Sequence, residues 1–279
     1  MIKFLGRGAG FSDEHNGACF GLGKKLILLD CPLVTFNKLK NAGLGAVYNS
    51  CVCGNCDDGI YTEGTNVDSS DKFGTAGLEE LVIIITHTHS DHIGGLALTI
   101  HYATFIWKLH VTVVAPSQEV ERDLKYMFDN LDGCDVNTYD LVTAQEYISG
   151  NSTDQNFWLK AAIPTTHVPS LEGKCFGYAL YIEGKNVIYT GDTNTLEPYL
   201  AYLDSKYLDS KDINSILYTE CSAYDTGVHM FVDRLMELET HFKEKNIKVY
   251  LMHLDNVEEI SKKIQDSCFE LAPYCDILM

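Results

Sequence analysis

The sequence predicts an α/β fold in one domain spanning residues 1–279. Three observations carry that expectation. Short runs of apolar, β-branched residues alternate along the chain with amphipathic segments of helical period, the pattern of sheets covered by helices. The 279 residues suffice for a sizeable core. Hydrophobic residues make up 46% of the chain, yet no run approaches the ~20 residues that cross a bilayer, so no membrane partner is expected.

The elements follow in chain order. Ile2–Leu5 and Lys25–Asp30 read as short buried strands, each beside a glycine turn. Phe36–Leu44 reads as a short helix. From about Gly45 to Thr75 the chain is polar and rich in Gly, Asp, Asn and Cys, which predicts an inserted loop or small lobe. Glu80–Thr86 is an apolar central strand. Ile93, Leu96, Ile100, Ala103 and Trp107 then recur at helical steps and predict one amphipathic helix. A strand at His110–Pro116 and a helix capped by Ser117 come next. Cys175–Asp192 reads as a hairpin turning at Glu183–Asn186. Two more strands, Ser215–Glu220 and Ile247–His253, flank a helix marked by Phe231, Leu235, Leu238 and Phe242. A last helix starts at Asn256.

Charge narrows the function. The chain carries 21 Lys and Arg against 39 Asp and Glu, a net charge of -18. Phosphate-backbone binding draws on clustered basic residues, so a large nucleic-acid surface is not expected. The N-terminal stretch MIKFLGRGAGF has no apolar core or cleavage site of a signal peptide. With ten cysteines, this predicts reduced thiols in the cytoplasm.

The chemistry concentrates in ITHTHSDHIGG, Ile85–Gly95. His87 and His89 are two apart just past a strand, so both can face one point. Asp91 and His92 follow in the turn, and Gly94 and Gly95 let the backbone bend. Neutral imidazole and carboxylate suit zinc and related divalent ions. Four such groups at one strand-to-helix corner predict a metal site rather than satisfied structural histidines.

THTHSDHIGG resembles the signature of the metallo-β-lactamase-fold hydrolases. That resemblance implies a four-layer αβ/βα sandwich with its site at one edge. TTHVPS places His167 like that family's third histidine, YTGDTN places Asp192 like its bridging aspartate, and LMHLD places His253 like its last histidine. The resemblance thus implies two divalent metals, zinc with manganese or iron as alternatives. One would be held by His87, His89 and His167, the other by Asp91, His92 and His253, with Asp192 shared. FLGRGAGF and LLDC are similar to the opening of the ribonuclease Z-like branch. Two features depart from its transfer-RNA-processing members. Only 25 positions separate His167 from Asp192, leaving no room for a long basic arm, and Thr219 stands where their His-Glu-Ala-Thr segment has histidine. The expected substrate is therefore a small phosphodiester, such as a cyclic nucleotide or sugar cyclic phosphate. An ester, thioester or lactam hydrolase is the alternative within the same site, and a non-catalytic sensor the alternative outside enzymology.

Asp91 is the expected orienter of the nucleophile. His229, in TGVHMFVD, is read either as the general acid or as a helix-start residue without a chemical role. Cys51, Cys53 and Cys56 form C-x-C-x-x-C, which predicts a structural zinc. Its fourth ligand is open among His229, Cys221, Cys175 and His15; the other reading is three free thiols. The 45–75 segment could serve as a lid, a substrate wall or the arm of a homodimer. His15, Ser170 and the glycine-rich Gly6–Gly10 are weaker pocket candidates, while His101, His110 and His241 read as structural.

Overall fold

A computed structural model describes residues 1–52, 75, 77–151, 157–207 and 215–275. Its described residues form two six-stranded sheets. The first runs in chain order through β1 (Lys3–Gly6), β2 (Gly17–Leu22), β3 (Lys25–Leu29), β4 (Glu80–Ile84), β5 (His110–Ala115) and β6 (Asp140–Thr143). β1–β3 pair antiparallel and β3–β6 parallel. The second sheet repeats this plan with β7 (Leu159–Thr165), β8 (Cys175–Ile182), β9 (Lys185–Tyr189), β10 (Ser215–Cys221), β11 (Ile247–Leu254) and β12 (Phe269–Leu271). β7–β9 are antiparallel and β9–β12 parallel.

The two-residue period of the strands sorts their side chains into separate cores. Ile27, Leu29, Val82 and Ile84 face Tyr178, Tyr189, Tyr218 and Met252 of the other sheet in a central core. Their neighbours Leu26, Leu28, Leu81 and Ile83 face outward, where α1 (Leu33–Ala42), α2 (Leu44–Val52), α4 (Leu96–Tyr102) and α5 (Gln118–Met127) cover them. The short α3 (Ser90–Ile93) sits at the tip of β4, and α6 (Ala144–Gly150) follows β6. On the far side, Leu217, Val249 and Leu251 pack under α7 (Glu197–Tyr207), α8 (Val232–Glu237), α9 (Glu239–Glu244) and α10 (Val257–Ile264). Helix, sheet, sheet and helix make the αβ/βα sandwich. No helix among the described residues is long and apolar enough to cross a membrane.

Several expected elements shift for local reasons. The first helix ends at Ala42, because Gly43 takes φ +87°, and a second begins at Leu44. Helix α2 thus occupies the start of the expected 45–75 loop; residues 53–74, with Cys53 and Cys56, lie outside the described residues. The amphipathic stretch from Ile93 to Trp107 is not one helix. It breaks at Gly94–Gly95 and finishes in a π-helical turn, Ala103–Trp107. Gly95 is needed there, since a Cβ would lie 2.5 Å from the Pro32 carbonyl oxygen. The β8–β9 hairpin turns on Glu183 and Gly184 alone, both at positive φ, and Lys185 already pairs with Ile182. That is the two-residue turn whose twist matches the strands. The helix expected through Phe231–Phe242 divides at Leu238 into α8 and α9. Ser117 and Asn256 cap α5 and α10 through their side chains, as their positions predict.

Candidate metal centre

The β4 tip delivers His87 and His89, α3 delivers Asp91 and His92, and the tips of β7, β9 and β11 deliver His167, Asp192 and His253. All seven expected side chains meet in one cluster between the sheet edges. His87, His89, His167 and Asp192 offer ligand atoms within 4.8 Å of one another, and so do Asp91, His92, Asp192 and His253. Asp192 belongs to both groups. Its Oδ2 lies 3.8 Å from His87 Nε2, 3.7 Å from His167 Nε2 and 3.4 Å from His253 Nε2, while its Oδ1 lies 3.3 Å from His92 Nε2. Asp91 Oδ2 stands 3.4 Å from His92 Nε2 and 3.3 Å from His253 Nε2.

Backbone strain aims several of these groups. β10 and β11 fall out of register where Glu220 pairs Met252 and Cys221 pairs Leu254, so His253 is the extra residue of a bulge, at φ +49°. Such bulges re-aim a side chain, and positive φ in a histidine is strain stored at a site. Gly191, at φ +61°, sits just before Asp192; a Cβ there would come within 2.8 Å of both Phe176 O and Thr86 Cβ.

Two carboxylates organise the ligands from behind, and sequence reasoning gave neither a role. Asp30, fully buried at φ +60°, accepts hydrogen bonds from Thr86 N at 2.8 Å and from His92 Nδ1 at 2.9 Å. That leaves His92 Nε2 turned toward the cluster. Glu220 is fully buried, accepts from Thr193 N and from His229 Nδ1 at 2.5 Å, and faces His253 Nδ1 at 3.5 Å. His167 donates its Nδ1–H to the Val228 carbonyl at 2.7 Å. Partners of this kind fix the tautomer and direction of metal-binding imidazoles. A signal for Glu220 existed: a charge inside the apolar strand SILYTEC demands a partner.

The donor set fits divalent cations. His92 Nε2 and Asp192 Oδ1 are buried with no hydrogen bond among the described residues, which is costly unless something else satisfies them. Burial lowers the pKa of His87 well below the usual imidazole range and that of His89 below it, favouring the neutral, metal-binding form. Burial raises the Asp192 carboxyl, but His253 and His92 outweigh it and hold the group well below its ordinary range. For His253, burial works downward, yet Asp192, Asp91 and Glu220 push it up to about 10. A cation held there would take the place of that proton.

His229 lies just ahead of α8, beside the cluster. Its ring packs 4.8 Å from that of His167 and 5.5 Å from that of His253. A cavity of about 660 Å³ opens over the cluster, and His229, Ala9 and Gly10 share its walls with His89, Asp91, His167, Asp192 and His253. Ser170 is exposed on a 3-10 turn and is not among the lining residues, nor is His15. His101 faces Cys134, His110 pairs with Asp140, and His241 packs on Phe242, all outside the cluster. Cys51 is also elsewhere. It is buried under the first sheet with its Sγ 3.4 Å from Cys19 Sγ. Of the expected fourth zinc ligands, Cys221 lies in the core under the second sheet, and His229 is held at the histidine cluster.

Fold and site together define a metallo-β-lactamase-fold protein with the architecture of a metal-dependent hydrolase. Solved structures agree on the fold. The metallo-β-lactamase fold protein YhfI from Bacillus subtilis superposes with a TM-score of 0.60 at 15% identity, covering 97% of this chain and 94% of its own. A diphosphatase of the PhnP family gives 0.59 at 15% identity over 98% and 94%. The short form of human tRNase Z gives 0.57 at 16% identity over 98% and 96%. Residues 77–271 match the family model of the Anti-Pycsar protein Apyc1, and the chain belongs to that family. It is 27% identical over 254 residues to the Anti-Pycsar protein Apyc1 of Bacillus phage vB_BsuM-Goe3, covering 81% of this chain and 92% of the relative. It is 26% identical over 219 residues to that of Bacillus phage 010DV004, covering 74% and 77%.

Exchange of Glu220 for glutamine tests the rear support. The neutral amide keeps the size but no longer holds a charged partner for His229 and His253. Activity is expected to fall about 10- to 100-fold, with the fold intact by circular dichroism. Unchanged activity would leave Glu220 a packing residue.

Proposed function

We propose that this protein is a metal-dependent phosphodiesterase acting on a small cyclic phosphodiester, a cyclic nucleotide in the first place. The observation that carries the reading is Asp192, buried in both ligand groups, with His229 beside them on the wall of the same cavity. In this reading His87, His89 and His167 hold one divalent cation, Asp91, His92 and His253 hold a second, and Asp192 serves both. Zinc suits this donor set, with manganese or iron as alternatives. Such a pair, when bound, supplies activation of water and neutralisation of charge on the phosphoryl oxygens.

The chain's own groups do the rest. Among the described residues no Lys or Arg lines the cavity, so charge on the chain's side toward the phosphate comes from the histidines. Asp91 is half-buried at the cavity wall and orients the attacking water. His229 donates a proton to the departing oxygen from Nε2, because its Nδ1 is engaged by Glu220. Burial lowers the basicity of His229, but the hydrogen bond and charge of Glu220 outweigh it and keep the ring ready to carry that proton. A cavity of about 660 Å³ suits a mononucleotide-sized ligand rather than a folded RNA. Membership of the Anti-Pycsar Apyc1 family and the phosphoester-cleaving relatives of the same fold support this choice.

The test is a panel of bis(p-nitrophenyl) phosphate, p-nitrophenyl acetate and nitrocefin, followed by cyclic mono- and dinucleotides, with zinc or manganese supplied. Phosphodiester turnover is expected, abolished by a chelator and restored by either metal. Turnover of the acyl substrates alone would make the protein an ester or lactam hydrolase. Tight binding of an intact cyclic nucleotide without turnover would make it a sensor.

A further inference from the structure

We infer that Phe11 is a stacking platform for the nucleobase, so that this site selects phosphodiesters carrying a planar heteroaromatic ring. The inference rests on the phosphodiesterase reading and narrows it.

Phe11 is fully exposed, yet it is one of the residues lining the cavity above His89, Asp91 and His253. A phenyl ring left wholly in water at the rim of a polar site has apolar area to bury against a ligand. Its backbone is held in place. Ala9 N donates to Leu254 O at 3.0 Å, and Leu254 N donates to Arg7 O at 2.7 Å, which ties this loop to the residue after His253. Ser12 closes the turn, donating to Ala9 O from its backbone at 2.9 Å and from Oγ at 2.7 Å. Gly10 lets the loop lie directly on the site, since a Cβ there would come 2.8 Å from Asp91 Oδ2. Phe11 is therefore one residue from contact with a candidate ligand. Tyr224 lines the same cavity, half-exposed, with its hydroxyl accepting from Asn256 Nδ2 at 3.0 Å.

Charge favours the same occupant. The carboxylates of Asp91, Asp192 and Asp255 line the cavity with no Lys or Arg among the lining residues. An anionic ligand held at its phosphate gains its remaining contacts best from a neutral π face, which repels nothing. Stacking of a base on an aromatic side chain is also tolerant of base identity, so the platform admits purines and pyrimidines alike.

The experiment compares KM for cyclic AMP with KM for a methyl riboside cyclic phosphate, which carries the same ring diester and no base, on zinc-loaded protein. The wild type is expected to favour the base-bearing substrate by roughly 5- to 100-fold. Phe11→Ala and Phe11→Leu are expected to erase most of that preference, the leucine because it keeps apolar bulk without a π face, and Phe11→Trp to restore it. Equal preference in the wild type and Phe11→Ala overturns the platform while leaving phosphodiesterase activity in place. Failure of the wild type to cleave either diester overturns the phosphodiesterase reading, and the platform with it.

Discussion

Replacing Asp192 by asparagine is expected to lower phosphodiester turnover by roughly three orders of magnitude, the several kcal/mol that metal-borne charge stabilisation supplies. The carboxylate is nearly inaccessible and lies within 3.8 Å of nitrogens on four histidines. Asparagine keeps the shape but removes the negative charge that would offset the two proposed cations, and it places an amide donor among groups that would accept or coordinate. Metal content by elemental analysis is expected to fall with activity, while circular dichroism stays near that of the wild type. Near-normal turnover with both metals retained would remove Asp192 from the centre of the chemistry.

Replacing His229 by alanine is expected to act on one step and one class of substrate. A cyclic nucleotide expels an alkoxide, which needs a proton as it leaves, and loss of a positioned general acid lowers kcat about 100- to 10,000-fold. Bis(p-nitrophenyl) phosphate expels a stable phenolate, so its turnover should fall far less. Metal content should not change, because His229 is engaged by Glu220 through Nδ1 and lies outside the ligand set the fold implies. Equal losses on both substrates would show that His229 supports the site's architecture instead of delivering the proton.

The expected ligands were legible in two ways. His87, His89, Asp91 and His92 crowd one strand-to-helix corner, while His167, Asp192 and His253 were legible only through the resemblance of TTHVPS, YTGDTN and LMHLD to the family's ligand segments. Glu220 left a signal, a charge inside an apolar strand, that named no partner, and Asp30 was not legible as a functional group at all, because its meaning comes from a distant partner. Asp30 meets His92 from 62 positions away, and nothing local to LLDC announces that meeting. The bulge that turns His253 inward is likewise a property of how β10 and β11 align, not of LMHLD. Strand β2, with two glycines in GACFGL, and β7, with Pro164 in LKAAIPT, have weak strand propensity. They form because Cys19 pairs with Leu28 and Ile163 with Gly177 inside established sheets. The amphipathic period from Ile93 to Trp107 was real as a buried face, but two glycines beside α1 interrupted the helix that carries it.

The candidate ligands are shared between the two sheets: His87, His89, Asp91 and His92 come with the first, His167, Asp192 and His253 with the second. During synthesis the first four emerge long before the other three. On the proposed two-cation reading, a nascent chain on the ribosome would therefore offer each ion at most two of its side chains, too few to grip it. Capture would then wait until the later half has docked, so a loaded protein would be one whose assembly has already finished, and an unfinished chain would draw little metal from its surroundings.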